Sequence, residues 1–176
     1  MLPVVVALSG ASGITLGIRL LEALAKEREC YAIATDGAHE VLRREKWHNV
    51  QWLRDDDIGA KVASGSFLCE AMAIVPCSMN TLGKIASGIA DNLATRAASV
   101  CLKERRKLLL APREMPFSTL ALEQMQRLSL YGVLIAPPVA AYYANVRNLE
   151  DMERFWVGKW LDLLQIPHHL YERWEG

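Results

Sequence analysis

The stretch PVVVALSGASGITLGIRLLEALAK, residues 3–26, decides the fold. Pro3 to Leu8 is an unbroken apolar run rich in Val, as expected of a strand covered on both faces, the condition of a parallel sheet sandwiched between helices. Ser9-Gly-Ala-Ser-Gly13 breaks the run as a tight turn. From Ile14 to about Lys26 the apolar residues return at helical spacing, so the unit reads strand, turn, helix.

The same rhythm continues outward. A second strand is expected over about Cys30 to Thr35, with Asp36 placed to cap a helix from Gly37 to Arg44. Residues 48–66 hold Asp55-Asp-Asp57 and Ser64-Gly-Ser66 with little periodicity and read as loop with at most one short turn of helix, a candidate lid. Beyond it come a strand at Met72–Val75, helices near Thr81–Ser87 and Leu93–Lys103, and a strand at Leu108–Ala111. A helix at Ser118–Tyr131 and a strand at Val133–Ile135 follow. After Pro137-Pro138, Asn148 with Asp151 three residues on predicts a capped last helix to about Leu164, then a polar, aromatic tail. Strands alternating with helices predict a three-layer α/β domain, Rossmann-like or flavodoxin-like, with a parallel sheet and helices on both faces. With 176 residues and no linker or repeat, one domain over residues 1–176 is expected.

Bulk properties exclude several functions. Lys plus Arg balances Asp plus Glu at 20 each, and no basic run is interleaved with aromatics, which argues against nucleic acid as a partner. No apolar stretch approaches the roughly 20 residues needed to span a bilayer, so no membrane partner is expected. The four cysteines are scattered without a CxxC pair, fitting a reduced, cytoplasmic location. Apolar residues make up 52% of the chain, five of them Trp, more than one compact domain hides, so a homo-oligomer is expected.

Two segments carry candidate chemistry. Ser9-Gly-Ala-Ser-Gly13 offers backbone N–H groups and hydroxyls at a helix N-terminus, a cradle for a phosphate or a flavin edge, although Ser12 stands where G-x-G-x-x-G has its second glycine. An ordinary tight connection is the plain alternative, and Asp36 is as readily a helix cap as a ribose ligand. In residues 76–114, Arg96 and Lys103 are seven apart and project from nearly one side of a helix, while Arg113-Glu114 follows a strand between Pro112 and Pro116. Such cations beside a carboxyl suit the grip of a phosphorylated substrate. The bland reading is a solvated helix face and a surface ion pair. Cys77 has no histidine evident as its base, and Asp55-Asp56-Asp57 and His168-His169 lack metal-ligand spacing, so no metal is expected.

Taken together, Ser9-Gly-Ala-Ser-Gly13, Pro76-Cys-Ser-Met-Asn-Thr81, residues 92–106, Pro112-Arg-Glu-Met-Pro116 and Arg173-Trp174 resemble the UbiX-type flavin prenyltransferases. These belong to the homo-oligomeric flavin-containing cysteine decarboxylase superfamily. The resemblance implies transfer of a dimethylallyl group from dimethylallyl monophosphate to N5 and C6 of reduced FMN. The product, prenylated FMN, goes to a UbiD-type decarboxylase, and the assembly is a homododecamer. It implies FMN contacts at Gly10, Ala11, Ser12, Thr35, Ser78, Met79, Asn80, Thr81 and Arg113. Substrate contacts fall at Arg96, Lys103, Tyr143, Lys159 and Trp174, and catalytic roles at Glu114, Glu45 and Ser12. Lys159 departs from the family's arginine, keeping the charge but losing the fork that binds phosphate bidentately. Two other functions remain open: an FMN-dependent cysteine decarboxylase of the same superfamily, and a non-catalytic FMN carrier.

Overall fold

The computed structural model describes residues 1–10, 12–34, 47–144 and 146–173. Ala11, Thr35, Glu45, Trp174, the Asp36 cap and the helix expected over residues 37–44 lie outside the described residues. Six parallel strands form one sheet: β1 (Val4–Leu8), β2 (Cys30–Ala34), β3 (Val50–Arg54), β4 (Ala71–Cys77), β5 (Lys107–Pro112) and β6 (Leu134–Ile135). Their order is β3-β2-β1-β4-β5-β6. The described helices are α1 (Ile14–Ala25), α2 (Met79–Ala86), α3 (Leu93–Lys103), α4 (Thr119–Leu130) and α5 (Leu149–Leu163).

The layers follow from burial. Val4, Val6, Leu8, Ala71, Ala73 and Val75 point to one face and pack against Leu16, Leu20, Leu21 and Leu24 of α1 and Val157, Trp160 and Leu161 of α5. The alternate residues Val5, Ala7, Met72, Ile74, Leu108 and Leu110 face α2, α3 and α4 through Leu82, Ile85, Leu93, Ala97, Ala98, Met125 and Leu128. Every residue of β1, β2 and β4 is buried, as strands covered on both sides must be. Gly17 brings α1 unusually close to the sheet: a Cβ there would lie 2.2 Å from the Val75 carbonyl oxygen.

The loop expected over residues 48–66 contains β3, which pairs with β2 along its whole length. Only Val50 of its five residues is buried, so this edge strand lacks the continuous apolar run that marks the others. Asp55, just past β3, is not an ordinary solvated loop acid either. Its backbone carbonyl accepts the Leu93 N–H at 2.7 Å, and its carboxylate accepts Ala94 N–H at 2.9 Å and Asn92 Nδ2 at 2.8 Å. The start of α3 is thereby tied to the edge where strands end, and Asn92 with Thr95 completes a capping box. Burial raises the Asp55 carboxyl above its ordinary range, partly offset by the Ala94 N–H. Trp160, buried, donates to the Ala136 carbonyl at 2.9 Å, and Trp156 donates to Val139 at 2.6 Å. These two tryptophans thus fasten α5 to the segment after β6.

Candidate functional site

The chain runs from β1 to β2 and β3 on one side of the sheet and from β4 to β5 and β6 on the other. The connections leaving β1 and β4 therefore diverge and leave a crevice at the carboxyl ends of these adjacent strands. Ser9 and Ser78 close its floor. Ser9 N–H and Oγ both donate to the Pro76 carbonyl, at 3.3 and 3.1 Å, and Oγ accepts the Ser78 N–H at 2.9 Å. Ser9 is buried, so all of its polar groups that reach β4 are used. Sequence reasoning placed Ser9 only as part of a turn; its fastening of β1 to β4 needs the strand order to be seen.

Above this floor, the helix ends differ in a way that matters. Ser78 caps α2 by accepting Thr81 N–H at 3.2 Å, while its hydroxyl donates to Thr81 Oγ1 at 2.9 Å. Asn92, Ser118 and Asn148 cap α3, α4 and α5. Among the described α-helices, α1 alone has no side-chain cap. Its N-cap is Gly13 at φ 101°, a backbone conformation that favours glycine. Leu16 N–H is taken by the Gly13 carbonyl at 2.9 Å, but no side-chain cap occupies the start of α1, which is open to an anion. Gly10, exposed, has nothing within 4 Å of where a Cβ would sit, so the turn opens onto free space. Residues of this kind could hold a group with a phosphate and a flat ring, the helix N-terminus suiting the phosphate and Ser78, Met79 and the exposed Asn80 lying at the neighbouring strand end.

The end of β5 supplies the charge. Arg113 N–H reaches the Cys77 carbonyl at 3.4 Å, and the Arg113 guanidinium donates to Ser12 Oγ. The side chain lies along Gly13, where a Cβ would come 3.4 Å from Arg113 Cδ. Glu114 follows, exposed, its carboxylate accepting the Met115 N–H at 3.1 Å. Gly10, Ser12, Ser78, Thr81, Arg113 and Glu114 are therefore gathered from three strand ends onto one edge. Cys77, also at this edge, is fully buried, and burial pushes its thiol up to about 12, so it is no nucleophile near neutral pH.

Not every remaining cation reaches this edge within one chain. Arg96 sits in the first turn of α3, exposed, its Nε donating to the Ala63 carbonyl at 3.3 Å. Lys103 ends the same helix, paired with Glu104 at 2.7 Å and 57% exposed. The expectation that Arg96 and Lys103 share a side of the helix holds, but Lys103 does not reach Arg113. The helix leads back to the start of β5, so Lys103 lies at the opposite sheet edge, separated from Arg113 by six strand residues, roughly 20 Å. There it lines a cavity of about 700 Å³ with Arg105, Arg106, Lys107 and Tyr131. Tyr143, 66% exposed, packs edge-on against Phe155 with ring centroids 6.0 Å apart, and Lys159 is exposed one turn further along α5.

Comparison with known proteins gives this geometry a context. The flavoprotein family matches residues 1–164. The flavin prenyltransferase UbiX of Campylobacter jejuni is 48% identical, over 98% of this chain and 98% of its own. The structure of AnUbiX (PadA1) in complex with FMN and dimethylallyl pyrophosphate superposes with a TM-score of 0.90 at 38% identity, covering 99% of this chain and 97% of that one. A dodecameric FMN-dependent UbiX-like decarboxylase from Escherichia coli O157:H7 superposes equally well, TM-score 0.90 at 37% identity, over 99% of this chain and all of that one.

Proposed function

The chain belongs to the flavoprotein family and, within it, to the UbiX flavin prenyltransferases; on that premise we propose that it joins the dimethylallyl group of dimethylallyl monophosphate to N5 and C6 of reduced FMN, making prenylated FMN. The observation that carries this reading is the edge where the uncapped α1 end, Ser12 and Arg113 meet, in a chain so similar over its whole length to flavin prenyltransferases.

When bound, reduced FMN would supply two electron-rich atoms: N5 for the carbon that loses the phosphate, and C6 for the far carbon of the allyl double bond once that bond is protonated, each giving up its own proton. The chain's own residues do the rest. Gly10, Ala11, Ser12, Thr35, Ser78 to Thr81 and Arg113 would hold FMN, with the α1 N-terminus available to its phosphate. Breaking the allylic C–O bond leaves a phosphate whose charge must be met as it forms. Arg96, Lys103, Tyr143 and Lys159, with Arg113 beside them, neutralise and orient it. Glu114 would protonate the departing phosphate and relay the protons that leave N5 and C6, one of which goes to the allyl double bond and one of which restores Glu114, while Ser12 and Glu45 would orient the groups around N5. Trp174 offers an aromatic face to the developing allylic cation. No step calls for a metal, and the described residues hold no cluster of three or more potential metal ligands.

Lys103 cannot reach this edge of its own chain, so the phosphate site is completed between copies. Exposed apolar residues such as Leu120, Leu122, Leu130 and Tyr142 support such an assembly, and the dodecameric relative supports twelve copies. No described helix is long and apolar enough to cross a membrane, and we place the protein in the cytoplasm.

The test is reconstitution. Flavin released after anaerobic incubation with reduced FMN and dimethylallyl monophosphate is given to an apo UbiD-type decarboxylase, with the diphosphate donor run in parallel. Activation supports the transferase. An FMN carrier would deliver flavin that leaves the decarboxylase inactive, and a cysteine decarboxylase would instead release CO2 from a peptide ending in cysteine.

A further inference from the structure

The C-terminal tail folds back onto α5 around a single carboxylate. Asp162, in the last turn of α5, faces His168 Nε2 at 3.0 Å through Oδ1 and accepts the Tyr171 hydroxyl on Oδ2. It also accepts Arg173 Nη2 at 2.7 Å on Oδ1 and Nη1 at 3.3 Å on Oδ2. The protonation of His168 is set locally. Its Nδ1 accepts the Leu170 N–H at 3.1 Å, so Nε2 carries the proton and donates to Asp162. Every donor thus points at the acid. Burial pushes the Asp162 carboxyl up, yet the hydrogen bonds from Arg173 and Tyr171 and the facing imidazole together bring it down to about 2. The tail also lies directly on the helix backbone: at Gly158 a Cβ would come 2.5 Å from Tyr171 Cδ1 and 2.8 Å from His168 Cε1.

From this clamp a chain of rings leads to the candidate phosphate site. Tyr171 packs on Phe155, ring centroids 5.0 Å apart, and Phe155 meets Tyr143 edge-on at 6.0 Å. Tyr143 is otherwise 66% exposed, in a segment between β6 and α5 with no strand or helix of its own to hold it. An exposed phenol binds phosphate well only if its position is fixed in advance, because each rotamer frozen on binding weakens affinity.

We propose that Asp162 is a positioning residue for the transfer reaction: by gathering His168, Tyr171 and Arg173 it seats the tail on α5 and, through Tyr171 and Phe155, holds the Tyr143 phenol in place for the donor's phosphate. The proposal rests on the functional reading that puts Tyr143 at that phosphate. Asp162 itself touches neither substrate nor flavin, so its effect is expected on donor binding rather than on the flavin.

The test compares Asp162→Asn with Tyr171→Phe, which keeps the ring on Gly158 and Phe155 and removes only the hydroxyl. Asp162→Asn is expected to raise KM for dimethylallyl monophosphate at least about tenfold, with kcat within about threefold and FMN affinity within about twofold of the parent. Tyr171→Phe moves KM the same way by less. Amide hydrogen exchange in residues 139–144 and 168–173 should quicken in both variants and stay unchanged in β1 and β4. Unchanged KM in both variants overturns the proposal, as does a rise in KM matched by an equal loss of FMN affinity, the mark of general destabilisation. If Asp162→Asn does not fold, Tyr171→Phe decides by the same criteria. If the parent protein alkylates no flavin, the functional reading fails separately. Hydrogen exchange in residues 139–144 then decides for the clamp, and no change there overturns it.

Discussion

The guanidinium of Arg113, at the end of β5, donates to the hydroxyl of Ser12, in the turn after β1, across 101 positions of sequence. The contact spans the mouth of the crevice between β1 and β4 and places a fixed positive charge beside the uncapped end of α1. Arg113→Lys keeps the charge but lacks the planar fork that can hold Ser12 and a ligand oxygen at once. It is expected to weaken FMN binding about tenfold, and Arg113→Ala more, with thermal stability unchanged because the side chain is exposed. Quenching of flavin fluorescence on titration measures both. Affinity for FMN unaltered in Arg113→Ala would remove Arg113 from the site.

Ser9 works beneath this contact. Replacing it with Ala leaves the half-buried Ser78 N–H without its acceptor and removes the side-chain bond to the Pro76 carbonyl. A loss of about 1–3 kcal/mol in unfolding free energy is expected, together with weaker FMN binding as the ends of β1 and β4 part. Chemical denaturation with and without FMN reads both effects. A change in stability with no change in flavin affinity would mean that the floor of the crevice does not shape it.

Gly17 tests the packing that sets the direction of α1. A methyl there meets the Val75 carbonyl at 2.2 Å and Leu8 Cδ2 at 2.8 Å, and a backbone oxygen inside a sheet cannot swing aside. Gly17→Ala is expected to cost at least about 3 kcal/mol or to abolish soluble expression. Unaltered thermal unfolding of the purified variant would contradict the close approach of helix and sheet.

The Asp162 clamp has a pH signature. Its carboxyl falls from an ordinary 3.8 to about 2 on folding, so the folded state favours the ionised form. The stabilisation is fully present above the unfolded value, near pH 4, and is lost as pH falls through the folded value, near pH 2. Between those limits the parent protein is expected to lose more thermal stability than Asp162→Asn does. Parallel losses in the two proteins would show that the carboxylate carries no such linkage.

Much of this was written in the sequence. The apolar Val4–Leu8 run followed by Ser9–Gly13 and a periodic helix leaves few alternatives to a parallel sheet, and α3 begins and ends where its periodicity predicts. β3 was hidden because an edge strand buries only part of itself, so Gln51 and Arg54 break the apolar pattern. Lys103 shows a different limit. Helical spacing tells which side of a helix a residue faces, not which end of the sheet it reaches, although a crossover helix must deliver its last turn to the start of the next strand. Asp162 and its three partners were invisible for another reason: a polar tail signals nothing until α5 is seen to offer Gly158 as a flat bed for two rings.

The most direct measurement of the central claim is the mass of the flavin itself. Protein incubated anaerobically with reduced FMN and dimethylallyl monophosphate, then denatured to release the flavin, is expected to yield FMN heavier by one C5H8 unit. In Glu114→Gln, with FMN still bound, the rate should fall about 10²–10⁴-fold, since only the proton transfer is removed. Flavin recovered at its original mass from the parent protein, with FMN tightly bound and donor present, would contradict the account.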